Sequence, residues 1–337
     1  MRKILFYFLL LAAAVCVSQL TVSLASAQNA GGAAGLYQQG RAEFMKFTPE
    51  GFDKAIALYN QAIKADPKYA QAYAGLAEVY SFMGYYRYLV REEYENYYND
   101  SYANLTKALQ INPNLEEVQL ALAYSYIQLS REKDAITEAR KILAKNPNNP
   151  EALYVLWMAS GENPDSPDIR KVIELDPKFV PAYVGLADAL FFKKRAYGQA
   201  AELYKKAAEI APSAQIHNLF GTALRTQGHY NEAIVEYQKA IQQNPNYAPA
   251  YMNLGITYYY LNKINQNIDN QKKAISLNPN YPDSYFFIAQ GYERANNPQQ
   301  AIVYYKKFLE VSLEQEMYAG YAAQAKQRIS ALSSGAK

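Results

Sequence analysis

Residues 220–245 read FGTALRTQGHYNEAIVEYQKAIQQNP, and the order of small and large residues in this stretch decides the fold. Gly221, Ala233 and Ala240 are small where two helices must touch. Leu224 and Tyr237 put large apolar groups on the same faces, and Pro245 closes the segment. The pattern then restarts with Leu254-Gly255, Tyr258, Ala274 and Pro279. The period is roughly 34 residues, enough for two short antiparallel helices and their turns.

Polar-proline pairs mark the same phase along the chain: Asp66-Pro67, Asn112-Pro113, Asn146-Pro147, Asp176-Pro177, Asn244-Pro245 and Asn278-Pro279, with Ala211-Pro212 completing the series. Proline disfavours helical geometry in the residue before it, so each pair ends a helix. Between them, Ala55, Tyr59 and Ala62 fall at i, i+4 and i+7, one stripe of a helix. Small residues on the facing helix let the backbones approach, and the tyrosine fills the gap beside them. One such hairpin cannot bury both faces, so hairpins must stack on one another. The expected architecture is therefore all-α and open-ended, a helical solenoid. A length of 337 residues suits such an array better than a single core.

The repeated unit resembles the tetratricopeptide repeat (TPR) family, whose pattern is an aromatic, a Leu-Gly-like pair and a Tyr, then Ala, an aromatic, Ala and Pro. Tyr251, Leu254, Gly255 and Tyr258 match best. Tyr73, Leu76, Ala77, Tyr80; Tyr183, Leu186, Ala187; and Tyr285, Ile288, Ala289, Tyr292 also match. In second helices, Ala55-Tyr59-Ala62, Ala200-Tyr204-Ala207, Ala233-Tyr237-Ala240 and Ala301-Tyr305 take the later roles. The resemblance implies a right-handed α-solenoid of about eight helix-turn-helix units over 36–310, followed by a C-terminal capping helix within 311–337 and a frayed tail.

Three places depart from the period. The second unit is longer by about a dozen residues around Gly84-Tyr85-Tyr86-Arg87-Tyr88, read as a hairpin with both helices extended. The fourth is short: Gly161 to Pro167 interrupts it, and the lone Trp157 stands where a small residue is expected. After Phe308 the motif gives way to Leu313, Met317, Tyr321, Ala325, Ile329 and Leu332, the apolar positions of a closing amphipathic helix.

The N-terminus reads as a secretory leader. Arg2 and Lys3 precede an apolar run from Ile4 to Val17, and Ala25-Ser26-Ala27 offers a cleavage site before Gln28. An uncleaved anchor is the weaker reading, because Ser18, Gln19, Thr21 and Ser23 interrupt the apolar run. A lipoprotein leader is weaker too, because Val15 precedes Cys16. The expectation is an exported protein, periplasmic or secreted, with 28–35 as a flexible linker and membrane contact only through an uncleaved leader.

The formal net charge is +3, which gives no reason to expect nucleic acid as a partner. Cys16 is the only cysteine, and His217 and His229 are the only histidines, so no disulfide or Cys/His zinc set can form within the chain. There is no Gly-rich phosphate loop, metal-binding histidine pair or cysteine nucleophile, and Asp165 and Asp168 sit in no EF-hand pattern. The expectation is a non-enzymatic protein without a cofactor. His217 replaces an aromatic and reads as core, while His229 follows Gly228 at a turn and reads as exposed.

In TPR proteins the first helix of each unit lines the binding face. Carried over by phase, the resemblance implies an aromatic groove built from Phe82, Tyr124, Tyr154, Met158, Phe191, Asn218, Arg225, Met252, Tyr259, Phe286, Gln290 and Arg294, with Glu78 and Asp188 in the same register. Such a groove would take a protein or peptide segment by apolar anchors, with Asn218, Gln290 and Arg294 bonding its backbone. The family's clamp for a C-terminal carboxylate is not evident: Gly75, Gly185, Leu219 and Phe287 occupy equivalent places, and only Asn253 fits. The reading is an interaction scaffold, with envelope assembly as one setting. The alternative is a carbohydrate or polymer-export module, since 33 tyrosines offer faces on which sugars can stack.

Overall fold

The computed structural model describes residues 32–46, 48–89, 93–313 and 315–334. The expected leader (1–27) and the first half of the expected linker (28–31) lie outside the described residues. Among the described residues there are 17 α-helices and no strand, and the architecture is the expected α-solenoid of eight helix pairs with a closing helix. It divides into two compact units at Ala211/Pro212.

The first unit holds five pairs: α1 (Ala33–Phe44) with α2 (Pro49–Ala65), α3 (Ala70–Leu89) with α4 (Glu95–Ile111), α5 (Glu116–Gln128) with α6 (Glu132–Lys145), α7 (Pro150–Ala159) with α8 (Pro167–Leu175), and α9 (Val180–Ala189) with α10 (Tyr197–Ile210). A π turn, Leu190–Lys194, prolongs α9. The second unit holds α11 (Ala214–Thr226) with α12 (Tyr230–Gln243), α13 (Ala248–Tyr260) with α14 (Ile264–Leu277), and α15 (Pro282–Arg294) with α16 (Pro298–Val311). A 3-10 turn, Glu316–Tyr318, leads into α17 (Ala319–Ser334). Within the first unit, α1 packs on α3, α3 on α5 and α5 on α7. Within the second, α11 packs on α13 and α13 on α15.

At Asp66, Asp176, Asn244 and Asn278 the polar residue before the proline has a function the sequence pattern left unexplained. Asp66 ends α2 in an extended conformation, and its Oδ1 accepts the Lys68 N–H at 2.9 Å. Asp176, Asn244 and Asn278 do the same for the N–H groups of Lys178, Asn246 and Asn280, at 3.0, 3.0 and 2.9 Å. These are Asx turns, which satisfy a backbone donor just where the helix stops. The first-helix tyrosine then donates back across the turn. Tyr183 and Tyr251 bond the carbonyls of Pro177 and Pro245 at 3.0 and 3.1 Å. Inside pairs, Gly228 takes the left-handed turn position with φ +84°, where glycine carries no steric penalty.

The small-residue stripe packs as the sequence implies. Ala233, Tyr237 and Ala240 are fully buried. A Cβ placed on Gly221 would lie 2.8 Å from Tyr237 Cε1, and one on Gly75 would lie 2.8 Å from Tyr59 Cζ. In each place glycine makes the room that the tyrosine ring fills. The seventh pair does this differently. A Cβ placed on Gly255 would lie 2.9 Å from Gln271 Nε2. On α14, Asn267 and Gln271 are completely buried, and their amides donate to the carbonyls of Gly255 and Met252, both at 3.0 Å. Polar side chains fill that gap because backbone carbonyls are there to accept from them.

Several boundaries differ from expectation. The first helix begins at Ala33, inside the expected linker, because Ala33 and Ala34 favour helix and Gly32 supplies the extended residue before it. The extension of the second pair is uneven: α3 has 20 residues and α4 has 17, against 13 and 14 in α11 and α12. The fourth pair is short, with 10 and 9 residues, and Trp157 is buried there, stacked on Tyr154 at 5.6 Å with its Nε1 donating to Asn163 O at 2.8 Å. The closing helix starts at Ala319. Leu313, Met317 and Tyr321, expected on its apolar face, are exposed. Ala325 is buried as expected, with Ile329 and Leu332 packed beside it, and Tyr318, which was not expected, is buried in the same cluster. His217 is buried and His229 exposed, as expected, but His217 Nδ1 also meets the buried Glu236 Oε2 at 2.7 Å.

Candidate functional site

The last two pairs and the closing helix enclose an open cleft of about 410 Å³, lined by Tyr259, Gln290, Glu293, Arg294, Tyr305, Gln324 and Arg328. Its volume lies within the range of roughly 300–1,000 Å³ typical of ligand sites. Tyr259 comes from the end of α13. Gln290, Glu293 and Arg294 follow one another at i, i+3 and i+4 on α15 and so share a face. Gln324 and Arg328, at i and i+4 on α17, look in from the other side.

The polar groups hold one another in place. Arg328 is ion-paired with Glu293, and Tyr305 Oη donates to Glu293 Oε2 at 3.0 Å. Burial, together with the Glu293 charge, drives the Tyr305 phenol far up, so it stays a donor. Across the cleft, the Arg294 guanidinium lies 3.7 Å from the centre of the Tyr259 ring and donates from Nη1 to Tyr259 O at 2.9 Å. Stacking on an aromatic face presents a planar guanidinium without burying its charge. Burial raises the Tyr259 phenol although Arg294 opposes the shift. The edge of Phe287 backs the Tyr259 ring at 5.5 Å.

Chemically, the cleft offers one exposed guanidinium, a second tied to a carboxylate, and two side-chain amides. That set can accept and donate along an extended backbone and can receive a carboxylate by charge-assisted bonds.

Of the twelve expected groove residues, three meet here: Tyr259, Gln290 and Arg294. Five others are core. Phe82 packs on Phe52 at 4.9 Å, and Tyr154 packs on Trp157 and Phe179. Phe286 sits among Tyr305, Phe308 and Tyr321, while Tyr124 and Met158 are buried. Packing of neighbouring pairs consumes these side chains, so they offer no open anchors. Phe191 is half-buried against Phe192 and Tyr197 in the first unit. Asn218 is buried and accepts from Asn253 Nδ2 at 2.9 Å, so its amide is already used between α11 and α13. Arg225 is half-buried and bonds Tyr237 Oη at 3.3 Å, and Met252 is half-buried.

Glu293, Tyr305, Gln324 and Arg328 were not foreseen. The pairing of Glu293 with Arg328 spans 35 residues and depends on how α17 docks, for which the repeat period gives no register.

Matches to protein-family models fall on three stretches of the chain. A TPR-repeat model matches 51–84 and 221–262, and two further tetratricopeptide-repeat models match 95–156 and 248–281. Among curated proteins, mouse superkiller complex protein 3 is 25% identical over 224 residues, 63% of this chain and 13% of that protein. Human tetratricopeptide repeat protein 6 is 22% identical over 218 residues, 65% of this chain and 34% of that protein. The chain thus spans only a minor part of the curated relatives it matches. Among solved structures, the APC/C hetero-tetramer Cut9–Hcn1 aligns with TM-score 0.61 at 17% identity, over 86% of this chain and 55% of that one. Yeast Tom70 aligns at 0.53 and 16% identity, over 98% and 69%. PilW, described as a widely conserved type IV pilus biogenesis factor, aligns at 0.53 and 15% identity, over 60% and 96%. The repeat register, the helix pairs and these matches agree: the chain carries tetratricopeptide-type repeats over the matched stretches, and its fold is similar to that of tetratricopeptide-repeat proteins.

Proposed function

We propose that the protein is a non-enzymatic scaffold that holds a peptide or protein segment in the cleft of its second unit. The carrying observation is the convergence of Tyr259, Gln290, Arg294, Gln324 and Arg328 on one open cavity. Gln290 and Gln324 bond the segment's backbone, the Tyr259 ring flanks it, and Arg294 receives an acidic side chain or a chain-terminal carboxylate. The hot spot is the stacked Tyr259–Arg294 pair, since aromatic and arginine side chains dominate interface energetics. An assembly role is in keeping with fold neighbours such as the Cut9–Hcn1 hetero-tetramer.

The test is selection of binders from a displayed peptide library. Acidic peptides should be enriched, and Arg294→Glu should abolish their binding while leaving the helical signal intact. Binders indifferent to Arg294→Glu would place the site elsewhere.

We further propose that the chain works outside the cytoplasm, in assembling envelope structures, on the strength of the leader read from residues 1–27. Mass spectrometry of the exported protein should give a mature chain beginning at Gln28. An intact Met1 on that protein would overturn the proposal.

A further inference from the structure

The first unit contains a second cavity, independent of the cleft above, with the opposite charge. It measures about 170 Å³ and opens between α1, α3, α5 and the start of α7. Arg41 of α1 is buried at its floor and ion-paired with Glu78 of α3. Its Nη2 also lies 3.5 Å from Glu151 Oε1 of α7. Both glutamates are buried, with 4% and 3% of their surface exposed. Glu116 and Glu117, half-buried at the start of α5, complete the lining, and Glu116 Oε1 accepts from Asn149 Nδ2 at 2.7 Å.

Four carboxylates therefore face one guanidinium. The second oxygen of Glu151 is enclosed and has no hydrogen-bond partner. A carboxylate buried without a partner for one oxygen is costly, and a cation brought to that oxygen removes the cost. The space is well below the roughly 300 Å³ where drug-sized ligand sites begin, so it admits a narrow group only. A metal ion is a poor match, since Glu78 is committed to Arg41 and Glu116 to Asn149.

We infer that this cavity binds a primary alkylammonium group, seated against Glu151 and drawn in by Glu116 and Glu117. Its three N–H donors suit an unpartnered carboxylate oxygen beside further acceptors. Burial and the surrounding carboxylates hold the Glu151 carboxyl well above the usual range when the cavity is empty, and an ammonium would bring it down. The group can come from a lysine side chain of a bound polypeptide or from a free alkylamine, which share this chemistry.

Calorimetric titration of the full chain distinguishes the sources. The probes are Nα-acetyl-lysine methylamide and n-butylammonium, with Nα-acetyl-norleucine methylamide and n-butanol as neutral controls. Binding of the lysine derivative alone identifies a polypeptide lysine, and binding of n-butylammonium alone identifies a free amine. Binding of both shows that the ammonium suffices. Each result supports the inference if Glu151→Gln weakens binding at least about tenfold, which corresponds to about 1.4 kcal/mol. Circular dichroism monitors folding of that variant. If Glu151→Gln does not fold, Glu117→Gln at the mouth decides, with a loss of about threefold or more expected. No binding of either charged probe, equal binding of the neutral controls, or unchanged affinity in a folded Glu151→Gln or in Glu117→Gln would overturn the inference.

Discussion

Asp188 in the first unit and Gln290 in the second occupy the same place in the repeat, each following the small residue of its first helix, Ala187 and Ala289. Their surroundings are opposite. Asp188 is buried, accepts from Tyr204 Oη and leaves its second oxygen without a partner. Gln290 is half-buried and opens onto the cleft that α17 completes. Glu78, which follows Ala77, repeats the buried case beside Arg41. One register position thus either encloses a carboxyl group or presents a polar group to a ligand. Depth decides which, because an enclosed carboxylate cannot be hydrated and a half-exposed amide can.

The largest effect should come from the enclosed charges. Arg41→Met strips the one cation from two buried carboxylates and should cost about 3–5 kcal/mol in urea denaturation. A loss below about 1 kcal/mol would show that those carboxylates are not charged in the folded state, and would remove the contrast.

Next comes Asp188. Burial, partly opposed by the Tyr204 hydrogen bond, pushes its carboxyl up to about 8 from an ordinary 3.8. Between those pH values the folded chain keeps a proton that the unfolded chain has shed, so stability falls as pH rises and levels off above about 8. Asp188→Asn should flatten much of this slope and raise stability at alkaline pH by on the order of 2–4 kcal/mol, with little change near pH 4. Glu78 and Glu151, also raised mainly by burial, contribute in the same direction, so part of the slope should survive. An unchanged slope would contradict the assignment.

Packing should not distinguish the units. Gly75→Leu and Gly221→Leu drive a side chain into a tyrosine ring at the same 2.8 Å approach, and each should cost about 1–3 kcal/mol in thermal unfolding. Markedly unequal costs would mean that the two units are not built by one rule. The smallest effect belongs to the rim of the cleft. Arg328→Ala breaks a partly exposed pair with Glu293 and should change stability by less than about 1 kcal/mol, and less again in high salt.

Much of this molecule could be read from residue types alone. The prolines and the Ala-Tyr-Ala stripes set the pairs, because period and residue volume are local facts. The candidate site was harder to read. Phase alone could not separate Phe82 or Tyr154, which fill gaps between pairs, from Tyr259, which borders an open cavity. An aromatic at an inward position suits both uses equally. Nor could phase anticipate α14, where Asn267 and Gln271 take the place of the usual aromatic packing, or the docking of α17, which brings Arg328 to Glu293. The first replaces the aromatic of the repeat by side chains whose partners are backbone carbonyls of the facing helix, and the second depends on a helix outside the repeated pattern.

The function proposed for this protein turns on where a bound segment sits. Hydrogen–deuterium exchange of the full chain, with and without a peptide selected from the library, measures this directly. Protection should concentrate on the end of α13, on α15 around Gln290–Arg294 and on α17 around Gln324–Arg328, and should vanish in Arg294→Glu. Protection confined to other helices, or protection that survives Arg294→Glu, would contradict it.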